Sequence, residues 1–143
     1  FPTRRSSDLG AFAIAVQNGR ILLIWPEFAP HVAELPGGGI DQGETPEQSC
    51  RREFLEETGL SCDGTLIPAY EQHVSFYASD SDEYWQYHQR FFTVETDDSQ
   101  YFQDMRPTPE NGVMGWIELN ELPDINLHHM HRKALIALGV LTA

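Results

Sequence analysis

Positive charge is scarce in this sequence. Its 143 residues include 9 Lys and Arg residues against 22 Asp and Glu residues, and the formal net charge is −13 at pH 7. Non-specific binding to nucleic acid depends on clusters of Lys and Arg that neutralise phosphates. We therefore expect no nucleic-acid polymer as a partner, and an anionic substrate would need metal ions to be bound.

Long apolar runs and cysteines are also rare. No apolar stretch approaches the roughly 20 residues that a membrane span needs, so we expect a soluble protein with no membrane partner. The two cysteines, Cys50 and Cys62, form neither a CxxC motif nor a Cys/His motif. A reduced, cytoplasmic protein is the simplest interpretation, although the spacing alone leaves a disulfide open.

Apolar residues are present in sufficient number for one domain. Hydrophobic residues make up 41% of the chain and aromatic residues 11%, more than a disordered chain carries. Residues 1–9, FPTRRSSDL, lack an initiator Met and the apolar core of a signal peptide. We interpret them as a non-native, adapter-derived segment and predict a single domain over residues 10–143.

Apolar periodicity and turn residues predict a mixed α/β fold. Two strands joined by the Asn18-Gly19 turn form a hairpin, and Pro36 with the glycines that follow it is expected to end any strand, leaving a loop to about Glu44. Thr45-Pro46-Glu47-Gln48 is typical of a helix start, and Gly59 of its end. The predicted strands are 11–16, 21–25, 66–78, 84–96 and 113–119, the predicted helices are 46–58 and 128–141, and 104–112 is a loop.

Three glutamates carry the first chemical signal. Glu53, Glu56 and Glu57 stand at i, i+3 and i+4 on the predicted helix, so their carboxylates share one face and repel one another. Arginines and water can screen such a face, or a hard divalent cation can occupy it. The glycine-rich turn at 37–39 favours the second interpretation, because its backbone can approach a metal or a phosphate closely.

These residues complete a longer pattern. Gly38, five residues, Glu44, seven residues and then the run from Arg52 to Leu60, REFLEETGL, resemble a complete Nudix box. The resemblance to the Nudix hydrolase family, with its MutT-like members, implies an α/β/α sandwich with a mixed β-sheet. It also implies metal ligation by Glu53, Glu56 and Glu57, joined by the carbonyl group of Gly38.

The resemblance further implies how the site is supported and what it does. Glu44 and Arg52 would form a structural ion pair, Mg²⁺ or Mn²⁺ would be the cofactor, and the reaction would be hydrolysis of a diphosphate linkage in a nucleotide-like small molecule. A homodimer is a further implication. The general base stays open: it is a box glutamate, Glu56 or Glu57, or a later acid. Among the later acids we favour Glu110 over the other candidates, which are Glu95, Asp98 and Asp104.

Several assignments stay open at this stage. The substrate is a nucleoside triphosphate or another nucleoside-diphosphate derivative, with ADP-ribose, a nucleotide sugar or a dinucleoside polyphosphate as alternatives and a ligand-sensing domain as the non-enzymatic one. His128 and His131 would share a helix face, but two imidazoles without an acid make a poor metal site. Substrate-binding residues cannot be named. We expect most aromatic side chains of 70–92 to pack in the core, with a base pocket as the alternative.

Overall fold

The strands and helices alternate along the chain much as the periodicity predicts. A computed structural model describes residues 4–79, 81–96 and 98–142, with the side chains of 4–8, 76, 78 and 98 outside that description. Two 3₁₀ turns, Asp98–Gln100 and Leu119–Asp124, were not predicted. The regular elements are β1 (Arg4–Gln17), β2 (Arg20–Trp25), β3 (Gly37–Gly39), α1 (Pro46–Thr58), β4 (Leu66–Ala78), β5 (Glu83–Val94), β6 (Arg106–Pro107), β7 (Val113–Glu118) and α2 (His129–Ala137).

The strands form one mixed sheet in the order β4-β5-β1-β2-β7-β6, and β3 pairs with β1. The β1 and β5 strands are parallel, whereas the other pairs are antiparallel. The Asn18-Gly19 hairpin between β1 and β2 is confirmed, because Val16 pairs with Ile21 and both turn residues have positive φ angles. Asn and Gly tolerate this backbone region, and such turns match the twist of the strands.

The two helices cover opposite faces of the sheet. Side chains alternate along a strand, and on β1 and β2 they divide between two buried clusters. Cys50 and Phe54 of α1 belong to one cluster, and Ala134 and Leu135 of α2 belong to the other. The predicted α/β/α sandwich with a mixed sheet is confirmed.

Helix α1 begins and ends at the predicted residues. The Thr45 side chain accepts a hydrogen bond from the Gln48 N–H group, and the Gln48 side chain accepts one from the Thr45 N–H group, so the capping box is present. Gly59 ends the helix with a φ angle of 74°, a conformation that glycine adopts without a Cβ clash. Both cysteines, Cys50 and Cys62, are buried and free.

The prediction that the glycines end any strand is wrong. Gly37–Gly39 forms β3, antiparallel to the segment of β1 that includes Ala11. Gly37 has a φ angle of 152°, and a Cβ atom there would lie 2.3 Å from the Ala11 carbonyl oxygen. The absence of side chains therefore lets the two backbones approach at this point.

Other boundaries differ by a few residues. Strand β1 begins at Arg4 and not at residue 11, the short strand β6 lies within the predicted 104–112 loop, and α2 ends at Ala137, after which Gly139 has a positive φ angle. The non-native origin of residues 1–9 stays a prediction. Within the described ranges, neither α-helix is long and apolar enough to cross a membrane.

Candidate functional site

Hydrogen bonds join strand β3 to residues near both ends of α1. The Gly37 N–H group donates to Glu57 Oε1 at 2.7 Å, and the Ser49 hydroxyl donates to the Gly39 carbonyl oxygen at 3.1 Å. Between them, an added Cβ atom at Gly38 would lie 2.7 Å from the Glu53 carboxyl carbon. The Glu53 carboxylate thus occupies the space that any larger residue at position 38 would fill.

Arg52 links the loop to the helix. Its guanidinium donates to both carboxylate oxygens of Glu44, with Nε 2.7 Å from Oε2 and Nη2 2.9 Å from Oε1. Its Nη1 donates to Glu53 at 3.0 Å and to Glu56 at 3.1 Å. The hydrogen bonds from Arg52 hold the pKa of Glu44 below its usual range. Bidentate pairs of this kind give a defined geometry, so the loop before α1 is anchored to the helix.

Glu57 and Glu53 are ionisable groups in half-buried positions. Burial raises the pKa of Glu57 to about 8, and repulsion from Glu53, Glu34 and Glu110 acts in the same direction against the hydrogen bond from Gly37. Burial also raises the pKa of Glu53, although Arg52 opposes the shift. Carboxyl groups whose ionisation is disfavoured by burial and by one another are typical of functional sites.

These carboxylates fit a hard divalent ion in part as they stand. Glu53 packs against Gly38, and Glu57 faces the cavity described below, so oxygen ligands are available from the two side chains and the neighbouring backbone. Glu56 is exposed and bonded to Arg52. Within the described part of the chain, the three carboxylates do not form a group with all ligand atoms within 4.8 Å. Joint ligation by all three would require Glu56 to turn from Arg52.

A cavity of about 350 Å³ opens beside the two carboxylates. We call the side formed by β3, Glu34 and Glu57 the carboxylate wall, and the side formed by Gln89, His128, Met130 and His131 the imidazole wall. Three aromatic side chains also line the cavity: Phe12, Phe28 and Tyr87. Phe28 is 85% exposed, which is unusual for a large apolar side chain at the mouth of a cavity. The size and mixed lining suit a small organic ligand.

The imidazole wall keeps its polar groups neutral. His131 is buried, and its Nδ1 atom accepts a hydrogen bond from the Leu35 N–H group at 3.0 Å. Burial lowers the pKa of His131 to about 3. His128 caps α2, with Nδ1 accepting from the Met130 N–H group at 3.2 Å. Both residues line the cavity, as the helix-face spacing allows, but the Nδ1 atom of each is engaged by the backbone.

The later acids are distributed differently. Glu110 shares a small cleft with Glu57 in which Phe28 also lies. Glu95 lies beside Gly64, in a cleft that none of the box glutamates lines, and Asp104 is exposed and lines neither of these clefts. The side chain of Asp98 lies outside the described residues. Of the later acids with described side chains, Glu110 is thus the one brought to Glu57.

Glu34 and Phe28 are among the lining residues that were missed in the sequence. Glu34 lies in the segment before β3, and burial raises its pKa. A lone acid in the apolar run Val32-Ala33-Glu34-Leu35 is the signal that could have indicated it. Phe28 follows Pro26 and Glu27 in a turn, and no periodicity marks it. The expectation that most aromatic side chains of 70–92 pack in the core is wrong for the described residues. Phe91 and Phe92 are buried, Tyr77 and Tyr84 are exposed, and Tyr87 lines the cavity. The Phe76 side chain lies outside the described residues.

Comparisons with known proteins agree with this geometry. A family model described as NUDIX domain matches residues 7–138. A Mycobacterium tuberculosis protein named "Putative 8-oxo-dGTP diphosphatase 3" is 35% identical over 94 residues, which cover 66% of this chain and 41% of that protein. The RNA pyrophosphohydrolase of Vibrio atlanticus is 39% identical over 61 residues, 42% of this chain and 36% of that protein. The chain spans about two fifths of the length of the curated relatives it matches.

Solved structures share the fold over most of the chain. The MutT NUDIX hydrolase from Burkholderia pseudomallei superposes with a TM-score of 0.68 at 28% identity, covering 91% of this chain and 96% of that one. The MutT protein from Bacillus halodurans has a TM-score of 0.72 at 16% identity, covering 92% and 82%. The second likeness concerns the fold alone.

Proposed function

The chain belongs to the NUDIX family, and from that premise we propose that it is a metal-dependent pyrophosphohydrolase acting on a nucleotide-like diphosphate. The observation that carries the proposal is the half-buried Glu57 carboxyl group on the wall of a cavity with aromatic lining, with the Glu53 carboxyl group packed against Gly38 of the same wall. The two curated matches are named as a diphosphatase and a pyrophosphohydrolase, and these names support the same class of activity.

Nudix hydrolases generally use a divalent metal, and we assign Mg²⁺ or Mn²⁺ to this site. Glu53, Glu56 and Glu57 would hold the ion together with the Gly38 carbonyl group. The ion would neutralise charge on the diphosphate oxygens and lower the pKa of the attacking water. The carboxylates fit this group because they bring negative charge that the Gly37 N–H group and Arg52 only partly offset.

The side chains then divide the remaining work. Arg52 and Glu44 hold the loop so that β3 stays against α1, and Gly38 leaves room for the Glu53 carboxylate. Glu110 lies beside Glu57 in the small cleft. We assign it the role of general base, which accepts a proton from the attacking water. The alternative base is a box glutamate, Glu56 or Glu57.

We assign the aromatic side chains of the cavity to the group attached to the diphosphate. Phe28 and Tyr87 offer aromatic faces for a nucleobase. A nucleoside triphosphate is our first substrate class. ADP-ribose, nucleotide sugars and dinucleoside polyphosphates share the diphosphate and are the alternatives.

The test is a substrate panel with and without Mg²⁺. Phosphate or pyrophosphate release would be measured on nucleoside triphosphates, oxidised nucleotides, ADP-ribose, a nucleotide sugar, dinucleoside polyphosphates and a 5′-triphosphorylated RNA oligonucleotide. We expect Mg²⁺-dependent turnover of a small nucleotide. Preference for the RNA would contradict the assignment of a small-molecule substrate, and tight binding without turnover of any member would favour a ligand-sensing domain. Light scattering of the same samples tests the predicted homodimer.

A further inference from the structure

A second group of potential ligands lies on β4 and β5, and none of its members lines the cavity. His73 and His88 pair directly across the two strands, and Glu71 precedes His73 by two residues. Residues two apart on a strand point to the same face, and directly paired residues hold their Cβ atoms about 5 Å apart. The strand register therefore brings two imidazoles and one carboxylate together.

The distances between these side chains are close to those of a metal site. Glu71 Oε1 lies 2.7 Å from His88 Nε2 and 3.8 Å from His73 Nε2. One ligand atom from each residue lies within 4.8 Å of the other two. A tetrahedral zinc ion with bonds of about 2.0–2.2 Å holds its ligand atoms roughly 3.3–3.5 Å apart. The observed separations bracket that value, so small side-chain rotations suffice.

Two contacts already orient the group. The imidazole rings of His73 and His88 are stacked, with centroids 4.1 Å apart and planes 20° from parallel. Arg90 Nε lies 3.5 Å from Glu71 Oε2, which leaves Oε1 directed to the histidines. A cation on the second oxygen of a ligating carboxylate is a typical outer contact of metal sites. The hydrogen bond from His88 also keeps the pKa of Glu71 below its usual range.

We propose that Glu71, His73 and His88 form a surface site for a borderline divalent transition metal such as Zn²⁺, with water in the remaining position. Two imidazole nitrogens and one carboxylate are a ligand set that Zn²⁺ prefers and Mg²⁺ does not. In the free protein, His88 donates its Nε2 proton to Glu71. Metal binding requires the Nδ1–H tautomer of the ring, in which Nε2 is free to become a ligand.

The strongest test reads individual histidine rings. Zn²⁺ is added to the isotope-labelled protein in excess Mg²⁺, which fills oxygen-ligand sites, and the ring signals are followed by NMR. We expect the His73 and His88 signals to shift and saturate together at one equivalent. The exposed His31 and His129 serve as internal controls and should not move. A response of His128 and His129 instead, with His73 and His88 unchanged, would overturn the assignment.

Matched variants provide the second readout. Zn²⁺ titration calorimetry in excess Mg²⁺ should show binding at least about tenfold weaker for His73→Ala and His88→Ala, and unchanged for His31→Ala. Thermal unfolding checks each fold, and His73, which is 71% exposed, is the substitution least able to disturb it. Equal affinity of folded His73→Ala and wild type would contradict the site. The result is independent of hydrolysis, so this inference and the proposed function fail or succeed separately.

Discussion

The two walls of the cavity treat polar groups in opposite ways. On the carboxylate wall, burial raises the pKa values of Glu34 and Glu57, and the pKa of Glu57 reaches about 8. On the imidazole wall, burial lowers the pKa of His131 to about 3, and the ring stays neutral while accepting a hydrogen bond from the Leu35 backbone.

The partners of these groups explain the difference. Behind the imidazole wall, Gln72 Nε2 donates to Gln89 Oε1 at 2.7 Å and to the Met130 carbonyl oxygen at 2.9 Å. Those two hydrogen bonds stabilise the packing of α2 on the sheet, although Gln72 Oε1 is buried without a hydrogen-bond partner among the described residues. The carboxylate wall instead concentrates like charges that a cation would relieve. We propose that the carboxylate wall carries the chemistry and that the imidazole wall shapes the ligand site.

The largest expected effect breaks the carboxylate wall. Glu57→Gln keeps the shape and the acceptor for the Gly37 N–H group but removes the charge. We expect turnover of the best panel substrate with Mg²⁺ to fall at least roughly 100-fold, as for loss of a metal ligand. Thermal unfolding without metal at pH 8 or above should show equal or higher stability of Glu57→Gln, because the wild type then holds an ionised carboxylate in a half-buried position.

The matched control is Glu47→Gln, which alters an exposed glutamate in the first turn of the same helix. It should leave turnover within about twofold of wild type. Near-wild-type turnover of Glu57→Gln would remove Glu57 from the proposed site.

A smaller effect tests the space behind the wall. At Gly38 an added Cβ atom would lie 2.7 Å from the Glu53 carboxyl carbon, whereas at Gly39 its nearest neighbour would be the Leu9 carbonyl oxygen at 4.0 Å. We expect Gly38→Ala to lower turnover roughly 10- to 100-fold and the free energy of unfolding by about 1–3 kcal/mol. Gly39→Ala should change stability by less than about 1 kcal/mol. Equal kinetics of the two variants would show that position 38 does not position Glu53.

Glu57 of the carboxylate wall and its charged neighbours on α1 could be predicted from the sequence because these residues are local. One helix carries all of them, and Thr45 and Gly59 mark its N-cap and its C-terminal end. Helical spacing places their side chains on one face: Arg52, Glu53, Glu56 and Glu57. The fold class followed similarly from strand lengths and the Asn-Gly turn. The bonding of Glu56 to Arg52 did not follow, because side-chain direction depends on the neighbours that are met.

The imidazole wall was invisible because its contacts are distant along the chain. His131 bonds to Leu35 across 96 residues, and Gln72 bonds to Met130 across 58. Spacing and propensity carry no information on such pairs. The β3 strand was missed for a related reason, since pairing with β1 outweighs the poor strand propensity of glycine. Glu71, His73 and His88 are gathered only by the β4–β5 register.

A third prediction uses pH to separate the walls. The pKa of Glu57 is about 8 in the folded protein against 4.5 for an ordinary carboxyl group. Between these values the folded state binds a proton on Glu57 that the unfolded chain has released. The stability that comes from this proton is present below about pH 4.5 and is lost as the pH rises through 8. We expect metal-free wild type to lose on the order of 1–3 kcal/mol relative to Glu57→Gln across this window.

Urea unfolding at stepped pH in a chelating buffer measures this difference, and millimolar Mg²⁺ should reduce it by binding the ionised carboxylates. Parallel curves for wild type and Glu57→Gln would show that the carboxyl group is not disfavoured in its charged form.

The smallest effect comes from the imidazole wall and has the opposite sign. The pKa of His131 is about 3 in the folded protein against 6.5 for an ordinary imidazole. The unfolded chain therefore binds more protons between these values, so the contribution of His131 to stability is present above about pH 6.5 and is lost as the pH falls.

The variant His131→Asn tests this contribution. It keeps a side-chain acceptor for the Leu35 N–H group without an ionisable ring, and should lower the free energy of unfolding by about 1 kcal/mol at pH 7. The stability of this variant relative to wild type should rise as the pH falls from 6.5 towards 4. The same urea titrations measure both proteins, and subtracting their free energies of unfolding removes the contribution of the carboxyl groups that they share. A flat difference would mean that the ring is protonated within the fold, and the neutral character assigned to this wall would be wrong.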